Sequence, residues 1–460
     1  MRKNPATRPP GISSATATAL VIANMIGVGV FTSLGFQVGD LPSGFLIVAL
    51  WVVGGLVALC GALSYAELAA ALPRSGGEYH FLSEIYHPVV GFLAGWVSAG
   101  VGFAAPTALA GIAFGKYLQG IFPAVSQTGS ALILVWVVVL IQFGGLRAGS
   151  VFQDVFTLLK VAFIVALIAA GFVFGHRQPI AFGPVADDLP RLFSGPFAVS
   201  LVYVMYAYSG WNACTYIIGE IRDPEKTVPR ALFVGTFVVM VLYVALNAMF
   251  LYTTPVASLK GNVDVGLIAG RQIFGPVGGN IVGGLICLGL ISAVSSMAWI
   301  GPRVAVVMGE DFSALRWLAV KTKNGTPAVA MIFQLAVVTV LIASSTFEKV
   351  LLYIQFTLIL CSFLTVLGVI LLRVRRPHLP RPYKAWGYPF TPLAFLAISL
   401  YMMYFIAADK PHETAAGLAT LLVGLVIYRV SGKRKHAPFG SPTPKLHANL
   451  RPPDSKHTPE

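Results

Sequence analysis

The chain has 460 residues, of which 56% are hydrophobic and only 11% charged, and its mean hydropathy is +0.78. Water-soluble domains carry about 25% charged residues, and disordered chains are far less apolar, so both are excluded and a polytopic membrane protein is left. The net charge of +14 then reports Lys- and Arg-rich loops on one side of a bilayer, not a nucleic-acid partner.

A bilayer core needs about 20 apolar residues per helix. Such stretches start near Ala15, Ser43, Val89, Ser130, Val151, Pro196, Ala231, Val277, Pro327, Val350, Pro389 and Thr414. They predict an all-α fold of about twelve transmembrane helices over residues 15–431, with Pro, Gly and charge in the connectors. Residues 1–14 are a polar, basic N-terminal segment without a signal peptide. Residues 432–460 form a Pro-rich, basic tail predicted to be disordered. If the N-terminus is placed inside and the spans alternate, 24 of the 32 Lys and Arg residues fall on the inner side and 7 on the outer. That split predicts both termini in the cytoplasm and an even number of spans. Pro106 is expected to kink the third span, and residues 75–87 are expected to form an amphipathic helix at the inner interface.

Catalytic groups are missing at depth. The eight histidines lie in loops or the tail, and the acidic residues sit at connectors or span ends. There is no HExxH, GxSxG or paired carboxylate, which argues against a membrane-embedded enzyme. A phosphate loop is also absent, which argues against a primary pump. No metal or cofactor is expected, and Cys60, Cys214, Cys287 and Cys361, all within apolar runs, read as buried free thiols. A channel is disfavoured because no pore segment repeats and no rings of charge appear.

Lys160 is the exception within the spans. At about 1.5 Å per residue it lies about 13–14 Å along the fifth span. A charge at that depth is either functional, as a proton carrier or a stand-in for a bound cation, or a side chain that snorkels to the interface. Depth alone does not separate these readings.

Two spans carry helix-weakening centres. The first reads Ile26-Gly27-Val28-Gly29-Val30-Phe31, and the sixth reads Tyr206-Ala207-Tyr208-Ser209-Gly210-Trp211-Asn212. Glycines are also common where membrane helices pack closely. Their separation by five spans, however, fits two inverted five-helix repeats with broken helices 1 and 6, the arrangement of transporter substrate sites. A break frees N–H groups, which attract a carboxylate, and carbonyls, which accept from an ammonium. Backbone alone can therefore hold a zwitterionic amino acid.

At these residues the chain resembles the amino acid–polyamine–organocation (APC) superfamily, in particular its L-type amino acid transporter branch and bacterial relatives. The motifs are Gly27-Val28-Gly29-Val30-Phe31, the runs 59–68, 73–79 and 206–212, and Arg381-Pro382-Tyr383-Lys384 with Gly387-Tyr388-Pro389. The likeness spans about residues 12–430. It implies two inverted five-helix repeats plus two helices. It implies carboxylate recognition at Ile26, Gly27, Val28 and Gly29, and amine recognition by the carbonyls of Ile26, Tyr206, Ala207 and Ser209. Tyr206 matches an aromatic gate, Trp211 and Asn212 match residues beside the pocket, and Lys160 matches the fifth-helix lysine of sodium-independent members. The loop from Arg303 through Glu310, Asp311 and Phe312 departs from the family pattern, and the run 355–358 lacks a polar residue often found near the L-type pocket. The segment 117–129 has no Cys for the disulfide that ties animal L-type members to a glycoprotein, so no covalent heavy chain and a prokaryotic inner membrane are expected. The resemblance thus implies a sodium-independent exchanger of neutral amino acids. The alternatives are a proton-coupled symporter, or a cationic amino acid or polyamine transporter of the same superfamily.

Overall fold

The computed structural model describes residues 12–41, 43–143, 150–322 and 325–431. The expected disordered tail and most of the N-terminal segment lie outside the described residues. The described residues are all-helical, apart from one isolated bridge between Ile12 and Ile221.

Twelve helices are labelled here in chain order: α1 (Ser14–Met25), α2 (Gly44–Ala71), α3 (Pro88–Ile121), α4 (Gln127–Phe143), α5 (Ser150–Phe174), α6 (Gly195–Tyr208), α7 (Pro224–Thr253), α8 (Val265–Asp311), α9 (Ala328–Ser344), α10 (Phe347–Arg375), α11 (Phe390–Asp409) and α12 (Pro411–Val430). Among the described residues eight of them, α2, α3, α5, α7, α8, α10, α11 and α12, are long and apolar enough to cross a membrane. The other four, α1, α4, α6 and α9, are shorter apolar helices. The chain is a multi-pass membrane protein.

Local chemistry sets the helix starts. Ser13, Ser43, Ser194 and Thr346 each cap a helix by accepting an orphan N–H three residues on. Proline stands at the first turn of α3, α6, α7 and α12, where its missing N–H costs nothing. Two expected starts shift. The seventh helix begins at Pro224, before the apolar run at Ala231, because Glu225, Lys226 and Arg230 continue it beyond the hydrocarbon. The eighth begins at Val265 and bends at Gly275 (φ 74°) before Pro276, so the apolar run near Val277 is the part beyond the kink.

In α3 the irregularity is a π segment, Ser98–Gly102, ending at the residue four before Pro106. A proline ring clashes with the carbonyl four residues earlier, so the distortion falls one turn ahead of the proline itself. The segment expected to be amphipathic is helical over Gly77–Ile85, with Glu78, His80, Phe81, Leu82 and Ile85 buried. It packs that face on α2 and α10 instead of on lipid: Phe81 meets Tyr65 edge to face, and the Tyr86 hydroxyl donates to the Leu364 carbonyl at 2.7 Å.

Candidate functional site

Both glycine-rich centres are breaks in the structure. Helix α1 stops at Met25, bends through residues 26–28, and resumes as a single 3-10 turn at Gly29–Phe31. Helix α6 stops at Tyr208 and continues through turns to the 3-10 segment Ala213–Tyr216. The two breaks face each other with the chains running in opposite directions. Cys214 Sγ lies 3.3 Å from the Ala17 carbonyl, and Ser33 Oγ donates to the Tyr203 carbonyl at 3.3 Å. Between these ends, Gly210 abuts the Asn24 carbonyl and Gly29 abuts Ala207. Gly210 has φ 96°, a conformation that side chains resist.

The backbone at the first break is divided between used and unused groups. The Ile26 amide donates to the Ile22 carbonyl and the Gly27 amide to the Met25 carbonyl. Among the described residues the amides of Val28, Gly29 and Val30 have no main-chain acceptor. These three adjacent donors form an electropositive patch of the kind that binds anions. Among the described residues the carbonyls of Ile26, Ala207 and Ser209 accept from no main-chain N–H, whereas that of Tyr206 accepts from Ser209 at 3.0 Å. Donors and acceptors thus sit on two facing strands of unwound chain. Such backbone is tolerated at membrane depth only where protein or a polar cavity surrounds it.

Two tyrosines that sequence reasoning did not single out hold the first break open. Tyr243 of α7 donates to the Met25 carbonyl at 2.6 Å. Tyr117 of α3 donates to the Phe31 carbonyl at 2.8 Å and accepts from the Gly266 amide at 2.9 Å. The only signal available was a hydroxyl in an apolar run. Tyr243→Phe leaves a buried carbonyl without its donor, which costs about 1–3 kcal/mol. Substrate affinity is expected to fall by about tenfold with the elution profile of the folded protein unchanged; titrating uptake against substrate concentration checks this.

The remaining expected residues fall around the breaks. Tyr206 is buried at the end of α6. Trp211 is buried and meets Tyr65 edge-on at 4.6 Å. Asn212 carries the turn after the second break, its carbonyl accepting from Thr215. Lys160 is half-buried on α5 with its Cε beside Gly289 of α8, so it reaches between these helices. Side chains also link neighbouring elements at both ends of α10. At one end Phe36 stacks between Tyr203 and Phe347, and Glu348 accepts from Tyr203 at 3.0 Å and from Lys410 at 3.1 Å. At the other end of α10, Arg373 makes a two-point ion pair with Glu67. The segment after Arg303, expected as a loop, instead continues helix α8 to its end at Asp311, whose carboxylate accepts from Tyr79 at 2.7 Å.

The sequence is similar along most of its length to known proteins. The amino acid permease family model matches residues 12–428. The chain is 28% identical to the large neutral amino acids transporter small subunit 2 of Oryctolagus cuniculus over 441 residues, covering 93% of this chain and 81% of that one. It is 28% identical to the b(0,+)-type amino acid transporter 1 of Mus musculus, over 89% of this chain and 85% of that one. It is 26% identical to the serine/threonine exchanger SteT of Bacillus subtilis, over 91% of this chain and 96% of that one. The chain belongs to the amino acid permease family of the APC superfamily. It is therefore a membrane transport protein and not an enzyme.

Proposed function

We propose that this chain is a sodium-independent transporter of neutral amino acids that works by exchange through alternating access. The observation that carries the reading is the pair of facing breaks, with unused amides at the first and unused carbonyls at both. The carboxylate is held by the amides of Val28 and Gly29, joined by Val30, at the turn that Ile26 and Gly27 shape. The amine is held by the carbonyls of Ile26, Ala207 and Ser209, and by the second lone pair of Tyr206. Tyr206 gates the site, and Trp211 and Asn212 flank it. Neither break carries an acidic residue in its sequence, so a cationic substrate lacks a counter-charge there. The name of one relative, a large neutral amino acids transporter, supports the substrate class, and that of another, a serine/threonine exchanger, supports exchange.

In this reading residues 15–431 cross the membrane twelve times, as two inverted five-helix repeats, α1–α5 and α6–α10, followed by α11 and α12. The antiparallel crossing of α1 and α6, each ending at a break, supports the inversion. The eight long helices and four short ones support the count. Residues 1–14 and 432–460 lie in the cytoplasm, a placement the Lys and Arg distribution supports, and the membrane is the prokaryotic inner membrane. No covalent heavy chain attaches, for want of a Cys in 117–129.

Lys160 stands in for a coupling cation, which removes the need for sodium. Its half-buried position against α8 also favours a second reading, proton symport. Lys160→Ala separates the two. Under exchange with Lys160 as a fixed cation, the variant loses exchange or becomes sodium-dependent. Under symport, it loses uptake driven by a pH gradient. Transport in proteoliposomes that is unchanged in rate, pH dependence and ion dependence contradicts any coupling role.

A further inference from the structure

The molecule buries two glutamates near the ends that the Lys and Arg count assigns to the cytoplasm, and it treats them differently. Glu67 receives Arg373, Arg381 and the Ala385 amide. Glu78, 4% exposed, receives two neutral hydroxyls: Tyr65 of α2 donates to its Oε1 at 2.5 Å, and Ser362 of α10 donates to the same oxygen at 3.1 Å. Among the described residues no ion pair joins it to a Lys, Arg or His. A buried carboxylate without a cation costs several kcal/mol and relieves that cost by taking a proton.

We propose that Glu78 is a proton-binding site: protonated, it holds the helix Gly77–Ile85 against α2 and α10, and ionised, it releases that helix. This goes beyond the transport reading and does not depend on which amino acid is carried. The titratable groups facing Glu78 from each packed element are Tyr65 on α2, Cys361 on α10 and Tyr216 beyond the second break. Phenols and thiols of this kind ionise only above neutral pH, so none of them carries charge where a carboxyl titrates. On its own helix His80 is held down to about 4 by burial and by Arg74, so it is neutral through most of that range. Burial raises the Glu78 carboxyl above its ordinary range, against the smaller pull of its two hydrogen bonds. Its place in the first turn of the helix also favours the charged form, by less than burial costs.

The closed joint binds the proton more tightly than a hydrated, open one does. Rising pH therefore disfavours closure from about 4.3, the ordinary glutamate value, upward through the raised value, and levels off above it. The joint also touches the substrate site, because Tyr65 packs against Trp211 beside the second break. Ionisation of Glu78 therefore strains the wall of the site as well as freeing the helix.

Cys361, buried beside Glu78, is a built-in reporter. In a chain carrying Cys60→Ala, Cys214→Ser and Cys287→Ala, maleimide labelling of Cys361 is followed in proteoliposomes from about pH 5 to about pH 8. Glu78→Gln, made in the same background, keeps hydrogen-bonding capacity without the charge and corrects for the intrinsic rise of thiol reactivity. The ratio of labelling in the chain that retains Glu78 to labelling in the Glu78→Gln variant is read at each pH. It is expected to climb as pH rises, by at most tenfold per pH unit for one proton. Parallel profiles overturn the proposal. Should Glu78→Gln fail to fold, infrared spectra of the unaltered chain with isotope-labelled glutamate decide. A protonated glutamic acid band present at low pH and lost on raising it supports the site, and its absence throughout overturns it. Neither readout uses a substrate, so failure of the transport reading leaves this test intact.

Discussion

Valine in place of Gly29 is expected to reduce uptake at least about 100-fold while the protein still inserts and elutes as a folded species. A Cβ at Gly29 stands 2.6 Å from the Ala207 Cα and 3.1 Å from its amide nitrogen. Carbon atoms rest about 3.5–4.0 Å apart, and the obstructing atoms are backbone, so the two breaks must separate by about 1 Å. That gap parts the amide donors from the facing carbonyls, and a zwitterion then reaches only one set. Alanine at the same place meets the same contact with less bulk and is expected to retain partial activity. Gly284→Ala on α8, where an added Cβ meets nothing within 4 Å, serves as the control and is expected to transport normally. Uptake by the three variants at matched membrane abundance checks the ordering. Equal transport by Gly29→Val and Gly284→Ala contradicts a site built from closely facing backbone.

Glu67→Ala is expected to have the largest effect on stability. The Glu67 carboxylate, with its side chain 2% exposed, binds Arg373 at two points, lies 3.5 Å from Arg381 and accepts from the Ala385 amide at 2.8 Å. The Arg373 guanidinium also lies 3.6 Å from the centre of the Tyr388 ring. One carboxylate therefore ties α2, α10 and the loop before α11. Its removal leaves a nearly buried arginine (Arg381, 8% exposed) without its counter-charge and the buried Ala385 amide without its acceptor. Breaking a buried pair in this way costs about 3–5 kcal/mol, a large part of the roughly 5–15 kcal/mol that holds typical domains together. A sharp fall in thermal melting temperature in detergent is expected, with loss of the monodisperse peak on chromatography. Glu67→Gln keeps acceptors for the amide and one arginine and is expected to fall between. A melting temperature for Glu67→Ala within error of the parent contradicts the assignment.

These two cases show what was legible in the sequence and what was not. The apolar runs placed helix starts within a few residues for most elements, because hydrocarbon thickness and first-turn prolines are local constraints. The breaks were legible for the same reason: two glycines at 27 and 29 and the small-residue run around Gly210 weaken a helix wherever it packs. Which amides the break frees was not legible. The bend turns the Ile26 and Gly27 amides onto carbonyls of their own chain and moves the unused donors one or two residues onward, and that depends on the bend's geometry. Tyr243 and Tyr117 were missed because a tyrosine in an apolar run reads alike whether its hydroxyl meets a backbone carbonyl or the membrane interface. Glu67 sat visibly near the end of a span, but its partner Arg373 is 306 residues away, and only the fold joins them. The helix Gly77–Ile85 was expected from its pattern. Its buried face touches protein because Tyr65 and Ser362 supply hydroxyls for Glu78, which lipid does not.

The central claim is that facing backbone, not a charged side chain, recognises both ends of an amino acid. Thermal stabilisation of the purified chain by ligands tests it most directly, without sodium, using a neutral amino acid, the matching amine lacking the carboxylate, and the matching acid lacking the amine. The account predicts a rise in melting temperature with the amino acid alone, lost in Gly29→Val. Equal stabilisation by the amine or by the acid contradicts it, because one strand of unwound chain would then suffice.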